Sequence, residues 1–244
     1  MPEEFSFTSP DDKKQYVERM FTKIAGRYDF FNHLLSVGFD RAWRRRAIDV
    51  LRQRWGRTIE VPAILDIASG TGDLAIESLK QLPSAKITAT DLAEQMLVEL
   101  RKKPATKNFA AIERADVEAL QYADNSFDGV TIGFGTRNFT SLPIAFKEIY
   151  RVLKPGGVFI NLELARPRPF PMKQLYRFYF DRMLPKLAQL FAGDRSAYRY
   201  LPDSLRKFPD LEALAQIMTE AGFQDVRFET LTQGIVAIHS GIKR

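Results

Sequence analysis

The segment Pro62–Ala75, PAILDIASGTGDLA, constrains the fold more than any other part of the chain. An apolar run carrying one acid passes directly into a loop of small residues and then into a helical pattern. Gly70, Gly72 and Ala75 have the G-x-G-x-x-G/A spacing of a strand-to-helix turn that binds a nucleotide ligand, and Asp91 follows about 20 residues on. Such a turn needs a parallel sheet around it.

The rest of the chain supplies one. Residues 11–55 read as helices. Asp11 or Asp12 is expected to cap the first, and Tyr16, Met20, Phe21 and Ile24 follow at helical spacing; a second runs over 41–54 with Trp43, Ile48 and Leu51 inward. From Pro62 short apolar runs alternate with helical stretches. Strands are predicted at 63–67, 86–90, 109–114, 127–133 and 158–163, with helices at 73–82, 93–102, 142–153 and 211–221. Pro155–Gly157 reads as a turn before the fifth strand. Two last strands, 226–230 and 235–240, are joined through Thr232-Gln233-Gly234 as a hairpin. The predicted fold is α/β and Rossmann-like: a mostly parallel seven-stranded sheet closed by an antiparallel C-terminal hairpin. By fold analogy this is the architecture of class I methyltransferases more than of dehydrogenases. Residues 1–60 form an N-terminal helical cap over the active site, and 61–244 form the ligand-binding domain with a helical insertion at 164–208.

Composition limits the chemistry. The 244 residues, 45% hydrophobic, suffice for one well-buried domain. With no cysteine and two histidines, thiol nucleophiles, disulfides and a His/Cys metal centre are excluded, and no metal is expected. The acidic, polar N-terminus is unlike a secretory signal and no apolar run reaches membrane-spanning length, so a cytoplasmic protein is expected. The net charge of +6 is concentrated: residues 164–208 hold ten Lys/Arg against three acids, and the remainder comes to −1. A localised excess of this kind points to an anionic partner, phospholipid or nucleic acid. Within it Met172, Leu175, Tyr176, Tyr179, Met183, Leu187 and Leu190 fall at helical spacing among Lys and Arg, with a kink at Pro185. A basic amphipathic helix with aromatics can lie in a bilayer interface; an insertion packed on the domain is the alternative.

The glycine loop alone does not name its ligand, because backbone N–H groups cradle any polar group brought close. Asp66, entering the loop from the first strand, is a poor neighbour for a diphosphate and suits a ligand bearing an ammonium group, such as S-adenosylmethionine. A loop-bracing acid is the alternative. Asp91 closes the second strand, where an acid accepts from both ribose hydroxyls. Asp116-Val117 follows the third strand, where an acid can accept from an adenine amine and an apolar neighbour can cover the ring.

Together D-x-A-x-G-T-G-D, the acid after the second strand and LKPGG resemble class I S-adenosylmethionine-dependent methyltransferases. More narrowly, the chain resembles the ubiquinone/menaquinone biosynthesis C-methyltransferases (UbiE/MenG), from about Val17 to the C-terminus. FTKIAGRYDFFNHLLSVGFDRAWRR (21–45), FGTRNF (134–139), SAYRYLPDSLRKFP (196–209) and the GIVAIHSGIK tail (234–243) carry the likeness. Tyr28, Asp29, Asn32, Ser36 and Arg137-Asn138 are its family-specific parts. The chain departs from the family at Asp40, where His is usual, at Thr136, often Leu, and at Ala165-Arg166, usually Ser-Lys.

The resemblance implies cofactor contacts at Thr71, Asp91, Asp116, Val117 and Gly133, beside Asp66, Gly70 and Gly72 from the residues themselves. It also implies a substrate: a hydroquinone with a polyprenyl tail, methylated on a ring carbon. Loss of a phenolic proton pushes electron density onto the ortho carbon, so a cation that stabilises phenolate, or a base, is needed. Arg137 is expected to stabilise phenolate, Asn138 to orient a quinol oxygen, and Tyr28 and Asp29 to close over the site, with Asp29 as general base. An ion pair would account for Arg137 and a packed turn for Tyr28-Asp29. His239 reads as a structural histidine. A polyprenyl substrate places the protein at the inner face of the cell membrane, in transient contact through 164–208; a homodimer is left open. Three rivals remain. A NAD-dependent oxidoreductase would use the same loop and Asp91. An RNA methyltransferase would suit a pI of 9.5, but no RNA-binding appendage or Asn/Asp-Pro-Pro-aromatic motif is present, and no nucleic-acid partner is expected. The third is a non-catalytic nucleoside-binding protein of the membrane surface.

Overall fold

The computed structural model describes residues 7–56, 58–168, 170–171, 174 and 195–244. Helix α1 (Pro10–Ile24) is capped by Ser9, whose hydroxyl accepts from the Asp12 amide at 3.2 Å. The predicted caps, Asp11 and Asp12, fall instead in its first turn. The helix starts earlier than their position implied because Pro10 suits the first helical site and both acids then complement the dipole. A 3-10 turn at Ala25–Arg27 leads into α2 (Tyr28–Leu35), and α3 (Asp40–Trp55) ends where Gly56 turns left-handed.

The seven strands are β1 (Ala63–Ile67), β2 (Lys86–Asp91), β3 (Ala111–Arg114), β4 (Phe127–Gly133), β5 (Leu153–Leu164), β6 (Gln224–Leu231) and β7 (Val236–Ile242). Their order is β3-β2-β1-β4-β5-β7-β6. β1 to β5 are parallel and β7 runs antiparallel to both β5 and β6. The predicted sheet and its closing hairpin are therefore present. β3 begins two residues later than predicted, because Phe109 closes the 3-10 turn Pro104–Asn108. β5 begins five residues earlier. Leu153 pairs with Phe127 ahead of a register shift, so Pro155-Gly156-Gly157 is an irregularity inside the strand and not a turn before it. Glycine is required there: Gly156 has φ +80°, and a Cβ on Gly157 would lie 2.7 Å from the Lys154 carbonyl oxygen.

Successive strand residues serve opposite faces. Ile64, Ile87, Ile160 and Ile238 join one apolar layer with Trp43, Ile48 and Leu51 of α3 and with α4 (Asp73–Gln81). Leu65, Val130, Ile132 and Phe159 join the other, under α6 (Leu142–Val152) and α8 (Leu211–Glu220). Coverage on both faces explains why the strands read as near-continuous apolar runs. α3 thus belongs to the sheet's own core, as its predicted inward residues require. α1 packs Val17 and Met20 against Tyr200 of α7 (Arg195–Lys207), and Phe21 and Tyr28 pack by α5 (Glu94–Arg101). The amphipathic run from Met172 to Leu190, with Pro185, lies outside the described residues. No helix among the described residues is long and apolar enough to cross a membrane.

Candidate active site

The strand order reverses between β1 and β4, and a cleft opens at their C-terminal ends, where ligands of open α/β sheets bind. It encloses about 720 Å³ counting its mouth. Gly70, Asp91, Asp116, Val117, Gly133 and Asn138 all line it, together with Tyr28. Seven of the expected residues therefore line one cleft, and Thr71 and Gly72 sit in the loop that supports it.

The loop is built by backbone geometry. Gly70 and Gly72 have φ of +56° and +82°, and a Cβ on Gly72 would stand 2.0 Å from Leu100 Cδ1. Asp91 holds the loop from β2: its Oδ2 accepts from the Gly70 amide at 2.8 Å and its Oδ1 from the Ala93 amide at 2.9 Å. Burial pushes its carboxyl up to about 6, against the pull of those amides. The Leu92 amide also draws on the carboxylate, so three amides engage it and one lone pair is left for a ribose hydroxyl. Asp116 accepts from Lys14 Nζ at 2.7 Å and from the Glu118 amide at 2.9 Å, and Val117 is buried beside it. Lys14, also 2.9 Å from Glu118, brings α1 onto the cleft.

Asp66 is 1% exposed and stands behind the loop, not among the lining residues. Its Oδ1 accepts from Thr131 Oγ1 at 2.5 Å, and its Oδ2 has no hydrogen-bond partner among the described residues. Burial pushes its pKa up to about 7. A buried, unpaired carboxylate oxygen is the environment a ligand ammonium relieves.

Thr71 is buried, and its hydroxyl donates to Asp29. Asp29 also pairs with Lys103 at 2.7 Å, which pairs at the same distance with Asp73. Arg44 lies 3.3 Å from Asp73 and pairs with Asp40. The structure gives Asp29 a bracing place and not the expected one of general base: Thr71 engages one carboxylate oxygen and Lys103 the other, and Asp29 is not among the residues that line the cofactor cleft. Asp40, where the family usually has His, is buried and accepts from Ser36 at 2.8 Å, with His33 Nδ1 at 2.7 Å. His33, Asp40 and Asp73 bring ligand atoms within 4.8 Å, but Arg44 already pairs with both carboxylates. His239 is buried, with Nε2 2.9 Å from the Leu211 carbonyl, as a structural histidine would be.

At the end of β4, a 3-10 turn (Thr136–Asn138) carries Arg137 and Asn138. Gly135 lets it approach the loop, since a Cβ there would lie 2.6 Å from Ala68 Cβ. One guanidinium nitrogen of Arg137 donates to the Phe134 carbonyl and to Glu163 Oε1, each at 2.6 Å, and the pair is buried. Burial, the largest single influence, lowers its pKa, but Glu163, Tyr28 and Tyr200 together make the net shift upward. Its Nε and the Asn138 Oδ1 are buried without a partner among the described residues. Tyr28 lies against Gly70, and burial raises its pKa despite Asn32, Arg137 and Arg44. Glu163 went unnoticed in the sequence, although an acid ending a buried apolar strand was a signal.

This sheet, with a glycine turn after β1 and an acid ending β2, defines a class I S-adenosylmethionine-dependent methyltransferase. A SAM-dependent methyltransferase from Thermotoga maritima shares the fold, with a TM-score of 0.65 at 19% identity over 93% of this chain and 99% of that one. The chain belongs to the ubiE/COQ5 methyltransferase family, which matches residues 9–243. It is 45% identical to the demethylmenaquinone methyltransferase of Thermus thermophilus over 91% of this chain and 99% of the relative. It is 42% identical to the ubiquinone/menaquinone biosynthesis C-methyltransferase UbiE of Paracoccus denitrificans, over 98% and 95%. The residues fit S-adenosylmethionine as cofactor: a loop left-handed at Gly70 and Gly72 where a Cβ on Gly72 would clash, an acid on β2 that lines the cleft with a spare lone pair, and an unpaired carboxylate oxygen buried behind the loop on β1.

Proposed function

We propose that this enzyme methylates a ring carbon of a polyprenylated hydroquinone, taking demethylmenaquinol to menaquinol, methylating a methoxylated polyprenyl benzoquinol, or both. The names of its relatives support the quinone class. The observation that carries the reading is the turn at Arg137-Asn138. A permanently charged donor and an amide oxygen both have a buried, unpaired atom, Asn138 on the wall of the cofactor cleft and Arg137 next to it on the hollow across the turn. Bound S-adenosylmethionine supplies an electrophilic methyl group on a sulfonium. Asp91 and Asp116 hold the nucleoside, Val117 and Gly133 wall it, and Asp66 answers its ammonium. Thr71, braced by Asp29, fixes the loop. Arg137 stabilises the phenolate through its free edge, and Asn138 orients the second oxygen or its proton. Tyr28 closes the cleft against water. A peripheral contact with anionic membrane through the basic 164–208 segment brings the enzyme to its substrate.

The test is methyl transfer from labelled S-adenosylmethionine to demethylmenaquinol and to the methoxylated benzoquinol, side by side. Replacing Arg137 alone strands a buried Glu163 charge, so the informative variant is Arg137→Ala with Glu163→Gln. Its turnover should fall about tenfold or more with little change in cofactor affinity. Wild-type turnover removes Arg137 from the mechanism. A cleft that binds NAD and not S-adenosylmethionine at equilibrium returns the oxidoreductase reading.

A further inference from the structure

The turn at Thr136–Asn138 has a hollow on either side. Gly135 and Asn138 line the cofactor cleft, Thr136 and Arg137 line a second hollow, and Phe139 and Thr140 belong to the walls of both. The second hollow encloses about 1020 Å³ counting its mouth. Away from Arg137 its walls are Leu142, Pro143, Phe208, Pro209 and Ile217, from the start of α6, the α7–α8 connection and α8. Phe7 and Tyr200 add an aromatic side, held through Tyr16 by ring contacts of 5.5 and 5.6 Å. Charged groups Lys13, Asp203 and Lys207, with Ser141 and Ser204, complete the lining, and Lys13 donates to the Phe139 carbonyl, tying α1 to the turn.

The shape is that of an amphiphile. One end carries the Arg137 guanidinium and shares Phe139 and Thr140 with the cofactor cleft, while about half of the lining residues are apolar or aromatic. A free quinol ring would fill only the Arg137 end. An aqueous nucleotide would meet hydrocarbon along about half of the lining. We propose that this hollow holds the isoprenoid tail of the substrate, with the ring against Arg137 and the chain running past Phe139 and Leu142 toward Ile217. The inference rests on the quinol-methylation reading and extends it: tail recognition belongs to α6, α7 and α8, apart from the cofactor cleft.

Two variants test it, Ile217→Trp, which fills the hollow, and Leu142→Arg, which charges it. Leu142 is half-buried at the first position of α6, so this second variant serves if the first fails to fold. Two measurements apply. The first is equilibrium binding of farnesol, a tail without a ring, to wild type and variants. The second is the ratio of kcat/KM for demethylmenaquinol with a three-isoprene tail to that for a tail-free naphthohydroquinol. Saturable farnesol binding to wild type, weakened about tenfold in either folded variant, is expected, with the kcat/KM ratio falling by about the same factor. Absence of saturable farnesol binding to wild type, or an unchanged ratio, overturns the assignment. If neither quinol is methylated although S-adenosylmethionine binds, the methylation reading fails, and the farnesol measurement alone then decides what the hollow holds.

Discussion

Cofactor affinity should depend on pH through Asp66. Its carboxyl is buried, with one oxygen on Thr131 and the other unpartnered, and its pKa stands at about 7. Arg44 pulls it down and Asp91 pushes it up, both less than burial does. From that value, about nine-tenths of the molecules carry the charge at pH 8 and about one-tenth at pH 6. If the ligand's ammonium needs that charge, the apparent Kd rises about tenfold between those pH values, about 1.4 kcal/mol. Binding must also release protons, about half of one at pH 7, because the cation draws the carboxyl toward its ionised form. The sign for folding is opposite to that of a salt-bridged acid. The folded pKa lies above the unfolded value, so the ligand-free fold holds a proton that the unfolded chain has lost. Its stability therefore declines from about pH 4 to about pH 7 and is level above that. The assay is calorimetric titration with S-adenosylhomocysteine, which keeps the ammonium, at pH 6 to 8 in buffers of different ionisation enthalpy. Asp66→Asn should bind more weakly at pH 8 and lose most of the pH slope, with a residue near pH 6 from Asp91, whose carboxyl lies at about 6. A wild-type Kd that is flat over this range, with heats independent of buffer, refutes the assignment of Asp66 to the ammonium.

Asp91→Ala should weaken S-adenosylhomocysteine at least about tenfold, since the ribose loses its acceptor and the Gly70 amide its anchor, read by the same titration. Gly72→Ala should lower unfolding stability by about 2–4 kcal/mol in urea, combining left-handed strain with the Leu100 clash. Gly56→Ala, left-handed but with nothing within 4 Å, should lose only about 1 kcal/mol. Lys103→Ala removes the shared partner of Asp29 and Asp73 and should speed tryptic cleavage at Arg19, Lys23 and Arg27 while the main melting transition moves little. Unchanged cleavage would mean that the ion pairs do not hold the N-terminal helices down.

What the sequence disclosed follows from how local each signal is. The bounds of β1 and β4 were legible because their apolar runs stop at turn residues on both sides. The start of β5 was not, since Pro-Gly-Gly is a turn signal in any window and only the Leu153–Phe127 pairing makes it part of a strand. Asp91 was legible because a strand-ending acid at that point of a doubly wound sheet has few alternatives. The state of Asp66 was not legible, because its hydrogen-bond donor is Thr131, 65 residues away on a neighbouring strand. Asp29 looked like a base because it follows Tyr28 in a family-specific segment, yet Lys103, on another element, decides what its carboxylate can do. Glu163 showed only as an acid ending an apolar strand, and its role was not legible for the same reason: its partner Arg137 is 26 residues distant.

In the role proposed for Arg137, its anchoring has a consequence for how a phenolate would be stabilised. With one nitrogen fixed between the Phe134 carbonyl and Glu163, the guanidinium plane cannot swing to follow a developing charge. Its orientation is set when the chain folds, so no reorganisation is needed at the moment of reaction. Bulk water must turn its dipoles each time a phenolate forms, and the difference between those two solvents is an advantage the protein holds before any substrate arrives.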